Sequence, residues 1–131
     1  MRLIIRNAKI VNEGTIVTKD ILINNERIEK IDHSISLDAG HLYEEINAEG
    51  LYVLPGFIDD QVHFREPGLT HKATIFSESR AAVAGGITSF MDMPNTVPNT
   101  LTNELLEEKY ALASKSSLAN YSFFMGLTKD N

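Results

Sequence analysis

The spacing of apolar residues changes at Pro55, and that change constrains the fold more than any other feature of the chain. Before it, the residues read as short strands. Leu3, Ile5 and Ile10-Val11 run into a turn at Asn12-Glu13-Gly14, and Ile21-Leu22-Ile23 runs into Asn24-Asn25-Glu26. Arg27 to Asp32 mixes apolar with charged residues, as a sheet with one wet face does. Residues 42–48 and 51–54 are weaker strand candidates, separated by Glu49-Gly50. No helical period of useful length occurs here. Residues 1–55 are therefore expected to form a small, mainly antiparallel sheet domain, with a sandwich as its arrangement.

After Pro55 the pattern becomes strand, loop, helix. Gly56-Phe57-Ile58 opens a strand that ends near His63, and a loop with Pro67-Gly68 follows. Residues 71–84 read as a helix with Ala73, Phe76, Val83 and Ala84 near one stripe, Arg80 as the misfit, and Gly85-Gly86 as its stop. A second strand spans 87–91 and ends at Pro94-Asn95. Residues 102–117 read as a second amphipathic helix, with Leu105, Leu106, Tyr110 and Leu112 or Ala113 inward. A third strand covers 120–125. Strands alternating with helices predict an α/β unit with a parallel sheet and right-handed crossovers over residues 56–131.

Three strands and two helices are too few for a closed barrel, which takes ~250 residues. The sequence stops at Thr128-Lys129-Asp130-Asn131, where a third loop is expected to begin. The reading is therefore a fragment of a longer protein; a self-contained open sheet would leave long apolar edges unprotected.

Charge and composition exclude several functions. A net charge of −6 with no basic run argues against a nucleic-acid surface. With no cysteine there is no disulfide framework, thiolate metal site or cysteine nucleophile. No stretch approaches the ~18 apolar residues of a membrane span, and the opening apolar run is too short for a signal peptide. A soluble, cytoplasmic chain is expected.

The residues able to do chemistry concentrate at 59–68. They lie at the carboxyl end of the first parallel strand, where such folds place their active sites. Asp59, Gln61 and His63 are two apart and should share a face. A neutral imidazole is a common metal ligand, and a nearby carboxylate can orient its other nitrogen; alternatively, His63 caps the strand and Asp59 solvates a loop. The next strand ends in Asp92-Met93-Pro94-Asn95-Thr96 on the same rim. Arg65 offers a planar fork for a carboxylate, and Asn95 can donate and accept. Together they could hold an anionic, amide-containing ligand. The plainer readings are a surface ion pair of Arg65 with Glu66 or Asp92, and a turn role for Asn95.

Three segments carry a resemblance. They are Leu54-Pro55-Gly56-Phe57-Ile58-Asp59 leading into His63-Phe64-Arg65-Glu66-Pro67-Gly68, then Ala81-Ala82-Val83-Ala84-Gly85-Gly86-Ile87-Thr88, then Asp92-Met93-Pro94-Asn95-Thr96. In these the chain resembles the dihydroorotase branch of the amidohydrolase superfamily, over essentially its whole length. The resemblance implies a (β/α)8 TIM-type barrel, incomplete in this chain, preceded by a small sheet domain that the protein's C-terminal end completes. It implies zinc-dependent, reversible ring closure of N-carbamoyl-L-aspartate to dihydroorotate in pyrimidine synthesis. It gives Arg65 and Asn95 the role of gripping the substrate carboxylate and His63 that of a metal ligand. One or two zinc ions are implied, with the partner a second copy or a transcarbamoylase.

One position departs from the pattern. The branch usually carries a His-x-His pair on its first strand, and here the first of the two is Gln61. A glutamine carbonyl is a weak, neutral ligand beside imidazole or carboxylate. The remaining ligands and the catalytic aspartate are expected beyond Asn131, so no catalytic residue is assigned within the chain. The bound ion would activate a water and polarise the scissile carbonyl. Two other readings stay open: an allantoinase or hydantoinase, and a non-catalytic subunit supporting a transcarbamoylase, to which Gln61 gives weight.

Overall fold

The computed structural model describes residues 2–40 and 42–129; Asp130 and Asn131, in the segment where a third loop is expected, lie outside them. The chain divides between Pro55 and Gly56 into two compact units.

The first unit is built on three antiparallel strands, β1 (Arg2–Asn12), β2 (Thr15–Asn24) and β3 (Arg27–Asp32). Glu13 and Gly14 both take positive φ, 47° and 75°, so the turn twists with the strands it joins. The expectation of a mainly antiparallel sheet needs correcting at its other edge. There β4 (Glu44–Asn47) and β5 (Tyr52–Val53) both run parallel to β1. The cause is the connection. Instead of turning back, the chain leaves β3 over the sheet face, where Ile35, Leu37 and Tyr43 pack with Ile4 and Leu22. A crossover of this length returns the chain in its original direction.

The expectation of one wet face also fails for β1 and β2. Ile4 and Leu22 are buried in one apolar cluster, while Ala8 and Ile21 join Ala48, Ile5, Ile10, Ile23 and Val53 in another. The β1–β2 register shifts between Ile5 and Ala8, with Asn7 at a φ of 59°. The extra residue re-phases the strand, so that Ile5 and Ala8 serve the same cluster. A part-buried charged pair sits at this irregularity. Arg6 Nη1 donates to Asp20 Oδ2 at 2.7 Å and to the Ile35 carbonyl at 2.6 Å. Asp20 also accepts from the backbone N–H of Asn7 and of Ile35, each at 3.1 Å.

The second unit follows the expected alternation: β6 (Phe57–Val62), α1 (Ile75–Ala84), β7 (Ile87–Asp92), α2 (Asn103–Ser116) and β8 (Asn120–Phe123). The three strands form a parallel sheet in the order β6-β7-β8. Phe64, Ile75, Phe90, Ala113, Ala119 and Phe123 make its core, with Leu106, Tyr110 and Leu112 packed against it. The rings of Phe64 and Phe90 lie 4.4 Å apart.

Helix α1 starts at Ile75, not at residue 71. Thr74 is extended and accepts from Ser77 N–H, Ser77 Oγ accepts from Thr74 N–H, and Glu66 Oε2 takes the Ile75 N–H at 2.8 Å. These bonds satisfy donors that a helix start leaves open, and they set its phase. The inner face is consequently Ile75, Ser79 and Ala82. Phe76 points outward, 55% exposed, with the Arg80 guanidinium 3.6 Å from its ring centroid. Helix α2 buries Ala113 as expected, but also Lys109.

Candidate functional site at the carboxyl ends of the parallel strands

The ends of β6, β7 and β8 are joined by backbone hydrogen bonds. Met93 N–H donates to the Val62 carbonyl at 3.0 Å, Phe124 N–H to the Asp92 carbonyl at 3.0 Å, and Gly126 N–H to the Thr100 carbonyl at 2.8 Å. The loops behind them also meet, because Val97 N–H donates to the Pro67 carbonyl at 3.2 Å. Gly68 makes this approach possible. Its φ is 82°, and a Cβ there would run into the backbone and side chain of Val97.

On this rim His63 and Asn95 come together. His63 Nδ1 lies 2.9 Å from Asn95 Oδ1. In the tautomer with a proton on Nδ1 the imidazole donates to the amide oxygen, leaving Nε2 as an acceptor and the Asn95 amide hydrogens available. An imidazole held through one nitrogen is oriented for a bond through the other. Asn95 is thus more than a turn residue after proline.

Arg65, two residues after His63, has a φ of 68°, its carbonyl accepting from Leu69 N–H at 3.0 Å. A left-handed arginine is uncommon and costs conformational energy. Its guanidinium makes no ion pair or hydrogen bond among the described residues, and the two carboxylates considered for it are engaged elsewhere. Glu66 caps α1, and Asp92 binds Lys109 at 2.7 Å. A donor fork without a carboxylate partner therefore stands on the same loop as His63.

The strand is irregular where Asp59, Gln61 and His63 are expected to share a face. The β6–β7 register slips between Asp59 and Val62, and Asp59 Oδ1 turns back to accept from Gln61 N–H at 3.1 Å. The slip interrupts the alternation that would align Asp59 with Gln61 and His63. Adjacent residues Asp60 and Gln61 instead both border a hollow of about 480 Å³, with Met93, Pro94 and residues 124–127 as its other walls. No group of three or more His, Asp or Glu side chains able to hold a metal occurs among the described residues. One imidazole does not make a zinc site, so these residues alone do not fit that ion.

The sequence reading passed over the Asp92–Lys109 pair. Asp92 Oδ2 accepts from Lys109 Nζ, and Asp92 Oδ1 accepts from Phe64 N–H at 2.9 Å. Lys109 also donates to the Met93 carbonyl at 3.2 Å, and its ammonium lies 4.8 Å from the Phe123 ring centroid. Both side chains are 1% exposed. A signal was present: Lys109 is three or four residues from Leu105, Leu106, Leu112 and Ala113, in the middle of the stripe read as apolar.

Comparison with known proteins shows the family. Residues 52–126 match the amidohydrolase family. Dihydroorotase of Halobacterium salinarum is 40% identical over 125 residues, which is 95% of this chain and 28% of the relative. Dihydroorotase of Methanosarcina acetivorans is 39% identical over 124 residues, 95% of this chain and 26% of the relative. Among solved structures, L-hydantoinase (dihydropyrimidinase) from Arthrobacter aurescens superposes with a TM-score of 0.87 at 28% identity, over 95% of this chain and 27% of that one. Dihydropyrimidinase from Brevibacillus agri gives 0.82 at 28% identity, over 99% and 28%. The chain thus spans little more than a quarter of these relatives' length. With the family matched from β5 through the β8 loop, across every strand end that builds the rim, the chain belongs to the amidohydrolase family.

Proposed function

We propose that the full-length protein is a dihydroorotase, catalysing the reversible closure of N-carbamoyl-L-aspartate to dihydroorotate, and that residues 56–131 are the first strands and helices of its (β/α)8 barrel. The observation that carries this reading is the rim itself. An oriented imidazole, an amide with hydrogens to donate and a guanidinium without a partner among the described residues lie on two adjoining loops at strand carboxyl ends, in a chain about 40% identical to dihydroorotases. In this reading Arg65 takes the substrate's free carboxylate in a two-pronged, charge-assisted contact. Asn95 donates its amide hydrogens to the same group while its oxygen holds His63. That grip presents the reacting amide in a fixed orientation, where positioning supplies much of the rate.

A divalent ion, when bound, would supply an activated water and a polarised carbonyl. His63 Nε2 would be an imidazole donor on this rim, and Gln61 could add only a neutral amide. The other donors would belong to parts of the full-length protein outside residues 1–131, and no step is routed through the ion here. The small sheet unit, residues 1–55, would form part of a second domain, and the protein would work on a small molecule in the cytoplasm. Among the described residues no helix is long and apolar enough to cross a membrane.

The hydantoinase reading draws support from the structural neighbours, whose names are hydantoinase and dihydropyrimidinase. Their 28% identity is lower than the 40% shared with a dihydroorotase. The test is direct: purified full-length protein is assayed on dihydroorotate, carbamoyl-aspartate, hydantoin and dihydrouracil. Turnover of the first pair is the expected result. Turnover of the second pair alone identifies a hydantoinase. Turnover of none, with stimulation of a co-expressed transcarbamoylase, supports the scaffold reading that Gln61 suggests.

A further inference from the structure

We propose that Asp92 and Lys109 are positioning residues, a buried charged clamp that holds the His63 loop and the Asn95 loop in the register that brings their side chains together. The inference rests on the reading above, that this rim binds the substrate. Each member grips one side. Asp92 Oδ1 takes the N–H of Phe64, the residue after His63, at 2.9 Å. Lys109 Nζ reaches the carbonyl of Met93, two residues before Asn95, at 3.2 Å. The bond between them, at 2.7 Å, closes the link through α2. The Asp92 carbonyl extends it to the β8 loop through Phe124 N–H.

Stability alone does not explain this arrangement. A sealed ion pair recovers about what its desolvation costs, and an apolar pair of equal volume often does as well or better. Geometry distinguishes the two. Apolar side chains can slide over one another, whereas a carboxylate bound at both oxygens and an ammonium bound to a fixed carbonyl admit one register. Among the described residues no buried side-chain nitrogen or oxygen lacks a partner, and a fully satisfied network of this kind rigidifies what it joins. The 2.9 Å contact of His63 with Asn95 spans the same two loops. A shift of one loop by an ångström would break it.

The experiment uses full-length protein and three variants: Lys109→Met, Asp92→Asn, and the neutral double variant D92N/K109Q. The double variant keeps an acceptor for Phe64 N–H, a bond between the two side chains and a donor for the Met93 carbonyl. Two quantities are read well below the melting temperature: kcat and KM on dihydroorotate, and hydrogen–deuterium exchange of peptides covering 62–66, 93–97 and α2. Lys109→Met is expected to lower kcat roughly 10–100-fold, the usual scale for losing a supporting group, with KM changing less. Exchange should rise at 62–66 and 93–97 while α2 stays protected, and the double variant should recover most of both. If Lys109→Met is insoluble, Asp92→Asn carries the same expectations. A kcat within twofold of the parent protein, or exchange rising equally throughout α2, overturns the proposal and leaves the pair as core structure. A parent protein inactive on dihydroorotate defeats the dihydroorotase reading, and the exchange pattern still decides whether the clamp holds the two loops.

Discussion

Among the described residues each unit packs a basic side chain against an aspartate, Arg6 on Asp20 and Lys109 on Asp92, and the two pairs differ in how completely they are sealed. Arg6 and Asp20 keep 22% and 7% of their side chains exposed, whereas Lys109 and Asp92 keep 1% each. The wetter pair uses a guanidinium, whose fork spans Asp20, the Ile35 carbonyl and a longer contact to Glu45 at 3.6 Å. It ties the segment that crosses the small sheet to β1 and β2 through the Ile35 carbonyl and N–H. The sealed pair uses a compact ammonium with few, short bonds, and it fixes the rim. Both hold a chain segment that no regular ladder holds. The difference is what surrounds them: the first pair can fall back on water when a partner is lost, and the second cannot.

The sharpest way to break the comparison is to remove one member of each pair. Asp92→Ala strands a buried ammonium and the Phe64 N–H, and should cost about 3–5 kcal/mol, as breaking sealed pairs does. Denaturant unfolding of the full-length protein measures it. A loss below about 1 kcal/mol would mean that water enters the site. Asp20→Ala should cost less, about 1.5–3 kcal/mol, since Arg6 retains Ile35 and partial solvation.

Acid provides a gentler probe of the first pair. Burial pushes the Asp20 carboxyl upward, but hydrogen bonds from Arg6 and from the Asn7 and Ile35 N–H groups, with the nearby guanidinium charge, outweigh it and hold it below the ordinary value of 3.8. A depressed folded value means that the pair's contribution is fully present above the ordinary carboxylate range. It is lost as pH falls through the folded value. Melting temperature should therefore drop more steeply below about pH 4 in the parent protein than in Asp20→Asn; parallel profiles would show that Asp20 is not held as described.

The smallest stability effects belong to the rim side chains. Arg65→Met should change stability by under about 0.5 kcal/mol while raising KM for dihydroorotate and carbamoyl-aspartate roughly 10–100-fold, the scale of a lost charge-assisted contact. Unchanged kinetics would make Arg65 a surface charge only. Gln61→Ala should leave both stability and zinc content nearly intact, whereas His63→Ala should lower the zinc content measured by elemental analysis. Equal losses in the two variants would make Gln61 a ligand.

The sequence by itself determined the boundary at Pro55, the strand–helix alternation after it and the residue types of the rim, because each is written in contacts close along the chain. Period two, period 3.6, the Gly85-Gly86 stop and the loop motifs are local. Tertiary structure decided the rest. The slip after Asp59 comes from pairing with β7, which no local pattern shows. The parallel β4 depends on Ile35 reaching Ile4 and Leu22. The inner face of α1 depends on Glu66, nine residues before the helix. The partners Asp20 and Lys109 lie 14 and 17 residues from Arg6 and Asp92. A charged residue shows its type in the sequence, but whether it faces water or a buried opposite charge is fixed only when distant segments fold against each other.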